Sequence, residues 1–161
     1  MDLKWLKVGQ IPAKADADKQ EEFLNEQLNP RIEDAKKGER YLFFMDAAHF
    51  VLSPFLGFLW CFTRVFLKAP SGRQRFNVLG ALNAISHELI TITNDSYINS
   101  ESVADLLKKI ASKFSDLPIT IVLDNARYQR CKYVTQLADK LNIELLFLPT
   151  YSPNLNLIER L

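Results

Sequence analysis

The second half of the chain alternates two patterns, and this alternation constrains the fold most. "LPITIVLD" (117–124) and "IELLFLP" (143–149) are short apolar runs of the length of a buried strand. Helical patterns precede and separate them. "NSESVADLLKKIASKF" places Val103, Leu106, Leu107, Ile110 and Phe114 on one stripe, and "CKYVTQLADKLN" predicts a second helix. Strands joined through helices pair in parallel. Upstream, "YLFFMD", "RFNVLGALNA" and "ELITITND" read as three more strands, the last two joined by a tight turn around 86–88. Three strands in succession suit an antiparallel meander. The predicted fold is therefore α/β: a mixed sheet, three antiparallel strands and then parallel ones, with helices on both faces. Ser100 is the expected N-cap of the first helix, which puts Val103 at N3 and leaves no capping box. Residues 47–74 carry aromatics among Pro54, Gly57, Pro70 and Gly72 and read as a long connection or an irregular hairpin.

Residues 1–40 are mostly polar. Phe23, Leu24 and Leu28 have helical spacing, Pro30 interrupts, and Ile32 and Ala35 resume it. One or two amphipathic helices ending near Gly38 are expected, forming a helical lead-in or linker over 1–40 ahead of a domain at 41–161. The 161 residues suffice for one domain with a real core. A formal net charge of +1 does not announce a nucleic-acid binder, although a local basic surface is enough for one. Cys61 and Cys131 lie far apart without metal-ligand spacing, which points to a reduced, cytosolic compartment. The start has no apolar core of signal-peptide length. The apolar stretch from Tyr41 to Leu67 is broken by Asp46, His49, Ser53, Pro54 and Arg64, so no transmembrane helix is expected there. There is no internal repeat, Walker A motif, Gly-x-Gly-x-x-Gly fingerprint, His-Glu-x-x-His or Cys cluster.

Three acids stand at special places. Asp46 closes the first strand, Asp124 follows the fourth, and Glu159 opens the last helical segment. Residues just beyond the carboxyl ends of strands line the ligand crevice of an α/β sheet. If the first and fourth strands are neighbours, Asp46 and Asp124 face each other across it, and a helix start packed on the same edge adds Glu159. Converging carboxylates repel unless neutralised, and a hard divalent cation is their natural partner. Two such ions roughly 4 Å apart stabilise both the attacking and the leaving oxygen of a phosphoryl displacement. The plainer readings stand beside this one. Acids at strand ends commonly shape turns, and Asn156 with Glu159 has the spacing of a capping box.

"LPTYSPNLNLIER" resembles the closing signature of DDE transposases of the mariner superfamily, with bacterial insertion sequence 630 as the nearest branch. "VLDN" resembles that family's second acidic motif and "FFMDAAHF" its first, and 34 residues separate Asp124 from Glu159, as in this branch. "PSGRQRFNVLGAL" and the lead-in are also similar, so the resemblance covers nearly the whole chain. Thr150, Asn154 and Leu157 depart from the pattern, none of them at an acid.

The resemblance implies a ribonuclease H-like fold and assigns Asp46, Asp124 and Glu159 as a catalytic triad holding two Mg²⁺ (or Mn²⁺) ions. It implies nicking of DNA at inverted-repeat ends and joining of the freed 3′ hydroxyl to target DNA, by a homodimer acting in the bacterial cytoplasm on nucleoid DNA. Members carry N-terminal helix-turn-helix modules and a longer final helix. Neither is found between Met1 and Leu161, so the domain is expected to be truncated at both ends. The alternative is a non-catalytic remnant that at most binds DNA or a full-length partner.

Other residues carry two readings each. Lys68, Arg73 and Arg75 lie in a stretch without acids and are candidates for contacting DNA phosphates, or a solvated loop. Arg127 and Arg130, with Lys132, follow Asp124 and would lie near the crevice. His49 touches the site or serves packing, and Asn125 orients a ligand carboxylate or shapes its turn.

Overall fold

The computed structural model describes residues 16–52, 74–150 and Leu155. Its single sheet has the strand order β3-β2-β1-β4-β5. The strands are β1 (Tyr41–Leu52), β2 (Gln74–Asn83), β3 (Leu89–Asn94), β4 (Ile119–Leu123) and β5 (Ile143–Phe147). β1, β2 and β3 form the antiparallel meander, and β4 and β5 join in parallel. This is the mixed sheet that the hydrophobic pattern predicts.

Side chains alternate across a strand, and the two faces take different cover. Phe43 and Met45 of β1, Leu79 and Ala81 of β2 and Ile90 of β3 point toward α3 (Ser100–Lys113) and α4 (Lys132–Lys140). The α3 stripe Val103, Leu106, Leu107 and Ile110 is fully buried there, each side chain contributing roughly 1.5–3 kcal/mol. The helix begins one residue earlier than predicted. Asn99, not Ser100, is the N-cap, and Asn99 with Ser102 completes a capping box. Asn99 has the extended backbone, φ −137°, that lets its side chain turn back on the Ser102 N–H.

The opposite face is covered by a π-helical turn (Phe23–Leu28) and α2 (Asn29–Lys36), which continue without a break from α1 (Ala17–Glu22), a helix with no buried residue. Pro30 does not separate two helices. It sits in the first turn of α2, and the Asn29 N–H reaches back to the Leu24 carbonyl in the wider π pattern. Phe23, Leu28 and Ala35 are buried against Leu42, Phe44, Val122, Leu146 and Leu148. Gly38, at φ +77°, ends this helical run in the left-handed conformation that glycine adopts readily. An ionic cluster fastens the same layer to β5. Arg31 and Arg40 both pair with Glu144, which also accepts a 2.7 Å hydrogen bond from the buried Thr120 hydroxyl.

β1 corrects the sequence reading in one respect. Asp46 does not close the strand, which continues to Leu52. The antiparallel partner is the reason: β2 pairs with β1 from Phe43–Asn83 out to Leu52–Gln74, whereas β4 pairs only with Tyr41–Phe44. Past Phe44, β1 therefore runs on beside β2 alone, with β3 on the far side of β2 as far as the Asn77–Asn94 pair.

Candidate active site

The crevice opens where β1 and β4 part. Phe44 and Val122 form their last paired position, and two residues beyond each come Asp46 and Asp124. The parallel register thus brings the two acids level. Alternation places Asp46 on the face of Leu42 and Phe44, the one that α2 covers further along. Its cross-strand neighbour is Gly80. A Cβ there would stand 3.3 Å from Leu89 Cδ1, so glycine lets β3 side chains pack closely over this position.

Both carboxylates are held by local backbone. Asp46 Oδ1 accepts the Ala47 N–H at 2.8 Å, and Asp124 Oδ1 accepts the Ala126 N–H at 3.1 Å in an Asx turn. Asp46 is half-buried and Asp124 exposed. Burial pushes the Asp46 carboxyl above its ordinary range. The charge of Asp124 pushes it the same way, against the opposing pull of the Ala47 N–H and His49. The pair is thus a set of hard oxygen donors in mutual repulsion, which a divalent cation would relieve. Two acids alone make an incomplete cage: among the described residues no three His, Cys, Asp or Glu side chains gather into a metal site. The third predicted acid, Glu159, lies outside the described residues, as do Lys68 and Arg73.

The loop after β4 supplies the rest. Asn125 Nδ2 donates to the Leu148 carbonyl, and the Leu148 N–H donates to the Leu123 carbonyl at 2.9 Å. Asn125 therefore ties the loop to the end of β5, which is the turn-shaping alternative of its two predicted roles. Arg127 and Arg130 are exposed, and the Arg130 guanidinium lies 5.8 Å from the centre of the Phe147 ring. Tyr128 is a residue the sequence reading missed. Burial raises its phenol above the ordinary value, and the charges of Asp124 and Asp46 raise it further. Its only advance signal is its place four residues after Asp124, in a loop turned back by the Gln129 and Arg130 N–H groups on the Ala126 carbonyl.

A mixed five-stranded sheet flanked by helices, with β1 central and acids at β1 and past β4, is the ribonuclease H-like arrangement. The DDE superfamily endonuclease model matches residues 41–161, and the chain belongs to that family. Solved structures with this fold include the Mos1 transposase paired-end complex with left transposon end, at 15% identity and a TM-score of 0.57. That match covers 95% of this chain and 49% of the other, so the chain spans about half the length of that transposase. A second is the simian T-cell lymphotropic virus intasome, at 17% identity and a TM-score of 0.54, covering 74% of this chain and 36% of that one. Among curated proteins no sequence match is found. Among the described residues no helix is long and apolar enough to cross a membrane.

Proposed function

We propose that the chain is the catalytic core of a transposase of the mariner superfamily, on the branch of bacterial insertion sequence 630. It would cut DNA at the inverted-repeat ends of its element and join them to target DNA, as a homodimer in the bacterial cytoplasm. The observation that carries this reading is the level placement of Asp46 and Asp124 where β1 and β4 separate. Family membership over 41–161 supports it.

Asp46, Asp124 and Glu159 would hold two Mg²⁺ (or Mn²⁺) ions within this domain. When bound, such ions stabilise the attacking and leaving oxygens of an in-line phosphodiester displacement. The chain's own residues prepare the ground. The Ala47 and Ala126 N–H groups fix one oxygen of each carboxylate and so set the direction of the other. Half-burial of Asp46 thins the competing water around it. Arg127 and Arg130, on the loop after Asp124, would meet the DNA backbone.

The test is nicking of a supercoiled plasmid that carries the DNA flanking this gene, with Mg²⁺ or Mn²⁺ present. Wild type is expected to convert it to open circles. Asp46→Ala, Asp124→Ala and Glu159→Ala should each lower the rate by about a hundredfold or more. Equal nicking by wild type and Asp124→Ala overturns the catalytic assignment. A folded wild type that binds DNA and nicks none of it supports the non-catalytic remnant instead.

A further inference from the structure

The face of the β1–β2 pair turned toward α3 changes character at one row. The alternation Phe43, Met45, Ala47 is apolar, but the next residue on that face is His49. Directly across in β2 is Asn77, and across from that in β3 is Asn94. These three side chains form one hydrogen-bonded row whose polarity can be read without ambiguity.

Asn77 is buried. Its Nδ2 donates to the Ser96 carbonyl at 2.8 Å and to Asn94 Oδ1 at 3.1 Å. A backbone carbonyl can only accept, so the amide's orientation is fixed. Asn94 gives the same direction independently, since its Nδ2 donates to the Tyr97 carbonyl at 2.9 Å. Asn77 Oδ1 is then the atom 2.7 Å from His49 Nδ1, and an oxygen acceptor there requires Nδ1 to carry the proton. The exposed ring is left with Nε2 as its outward nitrogen, and among the described residues Nε2 has no recorded partner.

A cation stands next to this row on the same face. Arg75 lies two residues before Asn77 and shares its face. Its guanidinium sits 5.4 Å from the centre of the Tyr97 ring, and Tyr97 is 69% exposed. The Asn94 bond to the Tyr97 carbonyl fixes the backbone that carries this ring. No carboxylate among the described residues pairs with Arg75. A guanidinium held over an aromatic ring and without a carboxylate partner can still donate N–H bonds to an anion, and phosphate is a geometry it matches.

We propose that His49 and Arg75, mounted on the Asn77–Asn94 row and Tyr97, form a DNA-backbone contact surface on the α3 side of the sheet, distinct from the acid crevice. His49 binds as the doubly protonated ring, with Nδ1–H on Asn77 and Nε2–H on a phosphate oxygen. Arg75 contacts a neighbouring phosphate. The surface lies on the strand that carries Asp46, so it grips DNA beside the crevice and contributes position rather than sequence choice. DNA as the occupant rests on the function proposed above.

The experiment is binding of a fluorescent DNA duplex by the whole chain, without divalent metal, between about 50 and 200 mM salt. Arg75→Ala is expected to reduce the slope of log affinity against log salt by about 0.9. His49→Ala should weaken binding several-fold, and Arg75→Lys should recover part of the Arg75→Ala loss. Thermal unfolding of Arg75→Ala and Arg75→Lys should match wild type, while His49→Ala should melt a few degrees lower but cooperatively, since it leaves buried Asn77 Oδ1 without its donor. Long-range proton–nitrogen NMR should find His49 as the Nδ1–H tautomer when neutral, and doubly protonated in the DNA complex. A wild type that binds while both alanine variants keep its full slope overturns this surface alone. A wild type with no salt-dependent DNA affinity overturns the DNA reading together with it. An equal loss of affinity for a polyglutamate peptide overturns DNA as the occupant. A free chain with its neutral ring protonated on Nε2 overturns the mounting.

Discussion

At the scale of single residues, Asp46 is expected to oppose folding in the absence of metal. Its carboxyl is half-buried and meets the charge of Asp124, and both effects disfavour its ionised form. Asp46→Asn keeps the shape and removes the charge. The metal-free variant should be the more stable at neutral pH, read as a higher Tm. The order reverses with ions present: Mn²⁺ should raise the Tm of wild type and leave Asp46→Asn nearly unmoved. A fall in the variant's metal-free Tm would sink this reading. Asp46 and Asp124 were legible in the sequence because each follows an apolar run. Tyr128 was not, since only the folded-back loop after β4 brings it within reach of their charge. The His49–Asn77–Asn94 row was equally hidden, because its members meet only through strand register.

At the scale of elements, α3 is the most regular piece, and its start is a fair test of local chemistry. Ser100 and Asn99 are both good caps by residue type. The choice falls to Asn99, whose Oδ1 accepts the Ser102 N–H at 3.0 Å while the Ser102 hydroxyl accepts the Asn99 N–H at 3.4 Å. Asn99→Ala should therefore cost about 1 kcal/mol and Ser100→Ala much less, measured by urea unfolding. Equal losses would return the cap to Ser100. Strand and helix order was readable because period-two and period-3.6 patterns differ over such lengths. The end of β1 was not. Asp46 and His49 interrupt the apolar run, and what keeps residues 46–49 extended is β2, beyond a long intervening segment. At Pro30 the sequence left one helix or two open, and the outcome is a continuous helical run in which Pro30 sits in the first turn of α2, just after a π turn.

At the scale of the molecule, the helical layer and the sheet are joined through Glu144. The Arg31 guanidinium, with help from Thr120 and Arg40, holds this carboxyl down at about 2 from an ordinary 4.5. A lowered carboxylate stabilises the fold above its unfolded value, and that contribution fades as pH falls from about 4.5 toward 2. Glu144→Gln should cost about 1 kcal/mol at neutral pH, between the exposed and buried limits for ion pairs. The gap in Tm between wild type and variant should close as the pH falls from about 5 to about 2; a gap that persists at pH 2 would count against the ionic account. The parting of β1 from β4 has a further consequence at this scale. Beyond Phe44, β1 has a strand neighbour on one side only among the described residues, so its other edge offers backbone groups to any strand that approaches. The two acids stand at the mouth of that gap, and negative charge at an open edge opposes pairing with a second copy. Replacing both acids by apolar residues is therefore expected to increase association of the chain, measured by light scattering of the variant against wild type.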